Sequence, residues 1–279
     1  MKKKMKMKPL TKQIIILSIL IISLVGCGIS LYHILVWNKE NKEIDETIEK
    51  INDVVKPVEK KDDSNVEFVE PVDDTVPKND PFWQFVDMNL LYVDFSELKI
   101  INSKTVGWVE VKGTNVNLPY VQTKDNSYYL NHSFDNTYNS AGWAFLDYRN
   151  NKKELDKNNI IYAHGRKNGS MFGSLRNLLE KKWLNDKSNY VIRTSTESEN
   201  TMWQIFSVYH IPTTNDYIQV KFNDDDEFLK FIETITKRSI HNFDTKVSAK
   251  DKILTLSTCY SSTEKLVVHA KLIKKEVRN

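Results

Sequence analysis

Cysteine is scarce: the chain has two in 279 residues, Cys27 and Cys259. Cys27 lies within a long apolar run near the N-terminus, so it cannot reach Cys259 and no disulfide is expected. A basic stripe interleaved with aromatics is also missing. The net charge of +3 hides an uneven spread, with Lys2, Lys3, Lys4, Lys6, Lys8 and Lys12 clustered at the start and residues 40–80 rich in Asp and Glu. That pattern argues against nucleic acid as a partner. No pair of His or Cys stands at metal-ligand spacing, and the acidic stretch lacks the spacing of a calcium loop, so neither a metal nor a cofactor is expected. No internal repeat is visible.

What is present divides the chain into four parts. Ile14–Trp37 runs 24 residues without a formal charge, and about 20 suffice to cross a hydrocarbon core as a helix. Lysines precede this run, whereas the flank behind it mixes Lys39 and Lys42 with Glu40, Glu43, Asp45 and Glu46. The positive-inside rule then places the N-terminus in the cytoplasm and the rest outside. A second reading takes "LVGC" at Leu24–Cys27, which resembles a lipobox, as a cleavage and lipidation signal at Cys27. Against it, the apolar run continues ten residues beyond Cys27, further than a signal peptide needs. Ile44, Ile48, Ile51 and Val55 recur at spacings of three and four, which predicts a short amphipathic stalk helix. Residues 56–80 combine Pro57, Pro71 and Pro77 with many acids and read as a solvated linker. The parts are a basic cytoplasmic segment (1–13), a transmembrane signal anchor (14–37), a stalk and linker (38–80) and an extracytoplasmic domain (81–279).

Within that domain, residues 82–104 look mainly helical, with Phe95, Leu98 and Ile100 or Ile101 on one side. Short runs rich in Val, Ile, Tyr, Thr and Trp follow, separated by Gly, Asn and Asp. They predict strands at Val106–Val111, Leu118–Gln122, Gly142–Asp147, Asn159–Ala163, Tyr190–Thr194, Met202–His210, Ile218–Phe222, Lys252–Thr258 and Lys265–Ile273. Helices are predicted over Ser170–Lys182 and Asp225–Arg238. Many short strands with few helices point to a mainly β fold, an antiparallel barrel with helical insertions rather than a βαβ array.

Cys259 ends one predicted strand as a lone thiol. It reads equally as a small buried hydrophobe or as a nucleophile, which would need a nearby acid/base and an oxyanion donor. Among the histidines, His33 falls in the anchor, His132, His210 and His241 fall in or beside loops or after a helix, and His269 sits mid-strand as sheet support. His164 differs, because it ends a strand, precedes Gly165 and enters a polar loop, a position that suits either a cleft or an ordinary loop. If the last two strands form a hairpin, Cys259 faces Lys265, with opposed Cβ atoms about 5 Å apart. Alternation then sets Leu266, Val268, Ala270 and Leu272 on one face and Lys265, Val267, His269 and Lys271 on the other. A cation there would lower the thiol pKa, while an edge lysine lying along the sheet is the plainer reading.

"TLSTC" at Thr255–Cys259, with "YAHG" at Tyr162–Gly165 upstream, resembles the sortases and specifically class B. "LKIINSKTVGWVEVKGTNVNLPYVQTKDNSYYL" resembles the stretch that opens class B catalytic domains, and "GWAFLDYRN" and "GSMF" follow in family order, so the likeness covers about Phe95 to Ile273. The resemblance implies an eight-stranded β-barrel with helical additions, anchored as a cysteine transpeptidase outside a Gram-positive type cell. Cys259 would attack the Thr carbonyl of a sorting-signal surface protein with an Asn-Pro-x-Thr-like motif. His164 would protonate the leaving amine and then help deprotonate an amine of a peptidoglycan or lipid-linked precursor. The Tyr260 N–H would serve the oxyanion, Ser257 would line the peptide groove, and residues 223–238 match the helix bordering the substrate pocket.

One position departs from the family. The arginine that opens the last strand of class B sortases is Lys265 here, a compact point charge in place of a planar fork. Arg149, Arg166 and Arg176 are other candidates for that role, with Arg149 read as structural. Two alternatives follow: a pilin-polymerising class B sortase, whose acceptor is a protein lysine, or a sortase-like surface scaffold of weak activity. A papain-like protease fits poorly, since there the Cys precedes the His and opens a helix.

Overall fold

The computed structural model describes residues 9–60, 66–68 and 81–278 and divides into two units, 1–46 and 47–279. The first unit is most of a single helix, α1 (Pro9–Val54), which runs without a break from the apolar segment into the residues expected to form a separate stalk. Its most apolar window has a mean hydropathy of 2.8 and no buried residue, which makes it a candidate membrane span. Beyond that window, Lys39–Glu43 and Lys42–Glu46 pair at i,i+4 across 3.6 and 3.4 Å, a spacing that supports continued helix.

In the second unit eight strands close a barrel. They are β1 (Thr105–Val111), β2 (Asn117–Val121), β3 (Phe145–Leu146), β4 (Asn158–Tyr162), β5 (Val191–Ser195), β6 (Glu199–Pro212), β7 (Ile253–Cys259) and β8 (Glu264–Val277). Around the barrel the order is β7-β4-β3-β2-β1-β5-β6-β8, and the β7–β8 hairpin closes it. Most pairs are antiparallel, but β2–β3 and β4–β7 are parallel. Closure removes the sheet edges, and the longest ladder, β6 on β8, carries register shifts at His269/Ala270 and Leu272/Lys274. These bulges break the strict alternation expected along β8, and both Ala270 and Lys271 are buried.

One longer helix packs against the sheet. α5 (Asp225–Lys237) starts at Asp224, whose carboxylate accepts the Glu227 N–H at 2.8 Å, and three acids fill its first turn. Such an N-cap and the favourable charge at the helix start fix where it begins. Phe228, Phe231, Ile232 and Ile235 on α5 pack with Phe206, Tyr209, Tyr217, Ile253 and Val267.

Several local expectations need correction. Residues 82–104, expected to be mainly helical, form α2 (Pro81–Val86), a short strand Leu90–Tyr92 and α3 (Ser96–Ile101). The strand pairs with Val58–Lys60, and Phe85, Val86 and Leu90 pack on Val191, Met202 and Ile273. Val66–Phe68 pairs with the end of β8, so the described parts of the expected linker belong to the barrel unit; its other residues, 61–65 and 69–80, lie outside the described residues.

Ser170–Lys182 is a 3₁₀ stretch, Gly173–Leu179, followed by the single turn α4 (Lys181–Leu184). Extended backbone at Glu180 separates the two. Ile218–Phe222 is not a strand. Side chains take its carbonyls instead of a ladder: Arg149 donates to Ile218 O at 3.0 Å and Asn158 to Gln219 O at 2.8 Å.

Candidate active site

Strand pairing brings three distant residues to one rim of the barrel. In the β7–β8 hairpin Cys259 stands directly opposite Lys265, as its length predicts, and Lys265 Nζ lies 3.1 Å from Cys259 Sγ. β4 runs parallel to β7 with Tyr162 opposite Ser257, so His164, two residues past the strand, arrives beside Cys259. That approach requires Gly165: a Cβ there would lie 2.2 Å from the Cys259 carbonyl oxygen.

His164 hydrogen-bonds to Cys259 and its Nε2 lies 2.7 Å from Leu130 O. A carbonyl only accepts, so Nε2 carries a proton and Nδ1 is the nitrogen that can exchange one with the thiol. The bond to Cys259 pushes the His164 pKa up, against partial burial, with help from Leu130 O; nearby Arg166 opposes it. The same bond pulls the Cys259 pKa down to about 7, again against burial, with the contact and charge of Lys265 adding to it. Both shifts run in the direction that favours a thiolate beside an imidazolium, the charge state of an activated cysteine nucleophile.

The whole constellation falls inside a match to the sortase domain family over residues 109–273. Sortase B of Listeria monocytogenes is 37% identical over 188 residues, 65% of this chain and 75% of that protein. A Bacillus anthracis sortase B structure, in complex with AAEK2, aligns with a TM-score of 0.65 at 33% identity, covering 85% of this chain and 97% of that one. A Staphylococcus aureus sortase B–substrate complex aligns at 0.60 with 35% identity, covering 64% and 84%. The chain belongs to the class B sortases.

This sortase places the remaining sequence candidates less simply. The Tyr260 N–H, expected to face the oxyanion, donates to Glu264 O at 2.9 Å instead. Only four residues link β7 to β8, and this bond continues the hairpin ladder past Cys259–Lys265. Lys265 Nζ contacts the reacting sulfur alongside His164. Ser257, expected to line a peptide groove, is buried and its hydroxyl pairs with Tyr217 Oη at 3.0 Å, so it presents little open surface.

Among the arginines, Arg176 donates to Tyr260 O at 2.6 Å. Arg149 is tied to Asp147 and Ile218 O, the structural role expected of it. His269 also behaves as the sequence suggests. It is fully buried between Tyr209 Oη and Thr255 Oγ1, each 2.9 Å away, and burial drives its pKa down to about 3.

Tyr217 and the Leu130 carbonyl went unrecognised in the sequence. A backbone oxygen leaves no residue-type signal, and Tyr217 lies in a loop without periodicity.

Proposed function

We propose that this sortase is a membrane-anchored transpeptidase that joins a sorting-signal protein to a cell-wall precursor. The supporting observation is the Cys259 thiol set between His164 and Lys265, with its pKa drawn down to about 7. The thiolate attacks the carbonyl carbon of the signal's Thr. The tetrahedral oxyanion collapses, the C–N bond breaks, and the His164 imidazolium gives its Nδ1 proton to the departing amine. That leaves a thioester on Cys259 and a neutral imidazole.

An acceptor amine of a peptidoglycan or lipid-linked precursor then attacks the thioester. His164 takes its proton, the C–S bond breaks, and the thiolate and imidazolium are restored. Lys265 stabilises the resting thiolate and, from the same position, the oxyanion. The substrate is of Asn-Pro-x-Thr type; α1 holds the catalytic unit at the outer membrane face.

Incubation of the full chain in detergent with a panel of threonine-containing signal peptides tests this by mass spectrometry. An adduct on Cys259 ending in Thr is expected, with cleavage lost in Cys259→Ala and reduced at least about 10²-fold in His164→Ala. Robust cleavage by Cys259→Ala, or an adduct elsewhere, would sink the mechanism.

A further inference from the structure

Away from the thiol, the barrel carries a basic groove of about 860 Å³ that the chemistry above does not use. It is walled by the start of β1, the end of β2, the segment before β4 and the β5–β6 turn. Lys99, Lys104, Lys124, Lys152 and Lys153 line it against a single acid, Glu197. Cys259, His164 and Lys265 are not among its walls. Over residues 81–279 basic and acidic side chains nearly balance, so the excess of lysine is local.

Little inside the chain neutralises these ammonium groups. Lys99 pairs with Glu197. Lys104 is exposed, donates to Asn136 Oδ1 at 3.1 Å and lies over the Tyr128 ring at 4.5 Å. Lys124, Lys152 and Lys153 are exposed and form no ion pair among the described residues. Asp125 neighbours Lys124, but its carboxylate accepts from the Ser127 and Tyr128 amides and the Ser127 hydroxyl. Asp156, near Lys153, is likewise engaged by Asn150 and the Asn151 N–H. Like charges gathered around a concave surface create a focused positive potential that a bound anion relieves.

We infer that this groove binds a linear phosphodiester or polyphosphate chain. The lysines come from four different segments around the groove, Lys152 and Lys153 sharing one, and such a spread suits a repeating anion better than a single phosphate. No aromatic ring lines the groove, so it lacks the stacking platform on which single-stranded nucleic acid binding relies. In a wall-building enzyme such a contact would hold the catalytic unit against a polyanionic polymer.

The test uses the full chain in phosphatidylcholine nanodiscs, titrated with linear inorganic polyphosphate over a range of salt. Binding should weaken with salt, and the log–log slope should shrink by about one for each lysine removed. Lys124→Gln/Lys152→Gln/Lys153→Gln should bind at least about tenfold more weakly at low salt, since each exchange deletes a released counterion. Lys181→Gln/Lys182→Gln/Lys187→Gln, with the same change in net charge, should bind like the parent. Equal loss in both variants would reduce the effect to net charge and overturn the assignment. So would failure of polyphosphate to bind, or binding confined to phosphatidylcholine vesicles carrying phosphatidylglycerol. Should the groove variant not fold, polyphosphate must still shield Lys124, Lys152 and Lys153 of the parent from amine acetylation; unchanged labelling there overturns the proposal.

Discussion

The turn end and the buried middle of the β7–β8 hairpin set their histidine neighbours in opposite ways. At the rim, His164 meets the Cys259 thiol and the Leu130 carbonyl, and its pKa rises. Four residue pairs down the β7–β8 ladder from Cys259–Lys265, His269 lies opposite Thr255 in full burial, and its pKa falls to about 3. Burial disfavours the imidazolium in both places. What differs is the partner: a group that can turn anionic outweighs desolvation, and two neutral hydroxyls do not. The rim is thus arranged to hold separated charge, and the middle to exclude it.

Lys265→Gln should break the rim most sharply. It leaves the thiolate without its ammonium and the oxyanion without its nearest donor, so kcat/KM for peptide cleavage should fall about 10²–10³-fold. The pH profile should move with it. In the parent, cleavage should rise as Cys259 ionises near pH 7 and fall once pH exceeds the raised pKa of His164. Without Lys265 the rising limb should shift to higher pH; an unmoved limb at parental rate would remove the lysine from the mechanism.

His269→Gln probes the middle by stability. The change disturbs the buried hydrogen bonds of Tyr209 and Thr255, and a buried group left unsatisfied costs about 1–3 kcal/mol. Its pH signature has a definite sign. His269 has a lower pKa folded than unfolded, so the unfolded chain binds more protons between about pH 3 and the ordinary histidine range. Stability from this residue is complete above that range and drains away as pH falls through it. Thermal melts should therefore drop less steeply on acidification in the variant than in the parent, and parallel curves would refute the assignment.

The smallest effect is expected from Tyr217→Phe. Loss of the hydrogen bond to Ser257 should cost about 1 kcal/mol of stability and lower kcat little, because the pair lies beside Cys259 of β7 without bonding to it. A kcat loss as large as that of Lys265→Gln would place Tyr217 in the chemistry itself.

Much of this was legible in the chain. Strand-like runs ending at Cys259 and opening at Lys265, with five residues between, define a hairpin register by local spacing alone. The apolar run of α1, the acid-capped start of α5 and the class B motifs are likewise properties of contiguous residues. Where short segments compete, local pattern failed: residues 82–104 look helical by periodicity, yet tertiary partners divide them into two helices and a strand.

The sequence by itself determined which side chains were available for chemistry: one thiol outside the apolar helix, one histidine followed by glycine, and a lysine where relatives carry arginine. Tertiary structure alone decided that His164 meets Cys259, because the parallel β4–β7 pairing joins segments about a hundred residues apart, which no local pattern encodes. It also decided that the Tyr260 N–H is closed into the hairpin and that five lysines from four separate segments share one groove. Sequence sets the chemistry of each group; only the closed barrel sets the distances on which their electrostatic coupling depends.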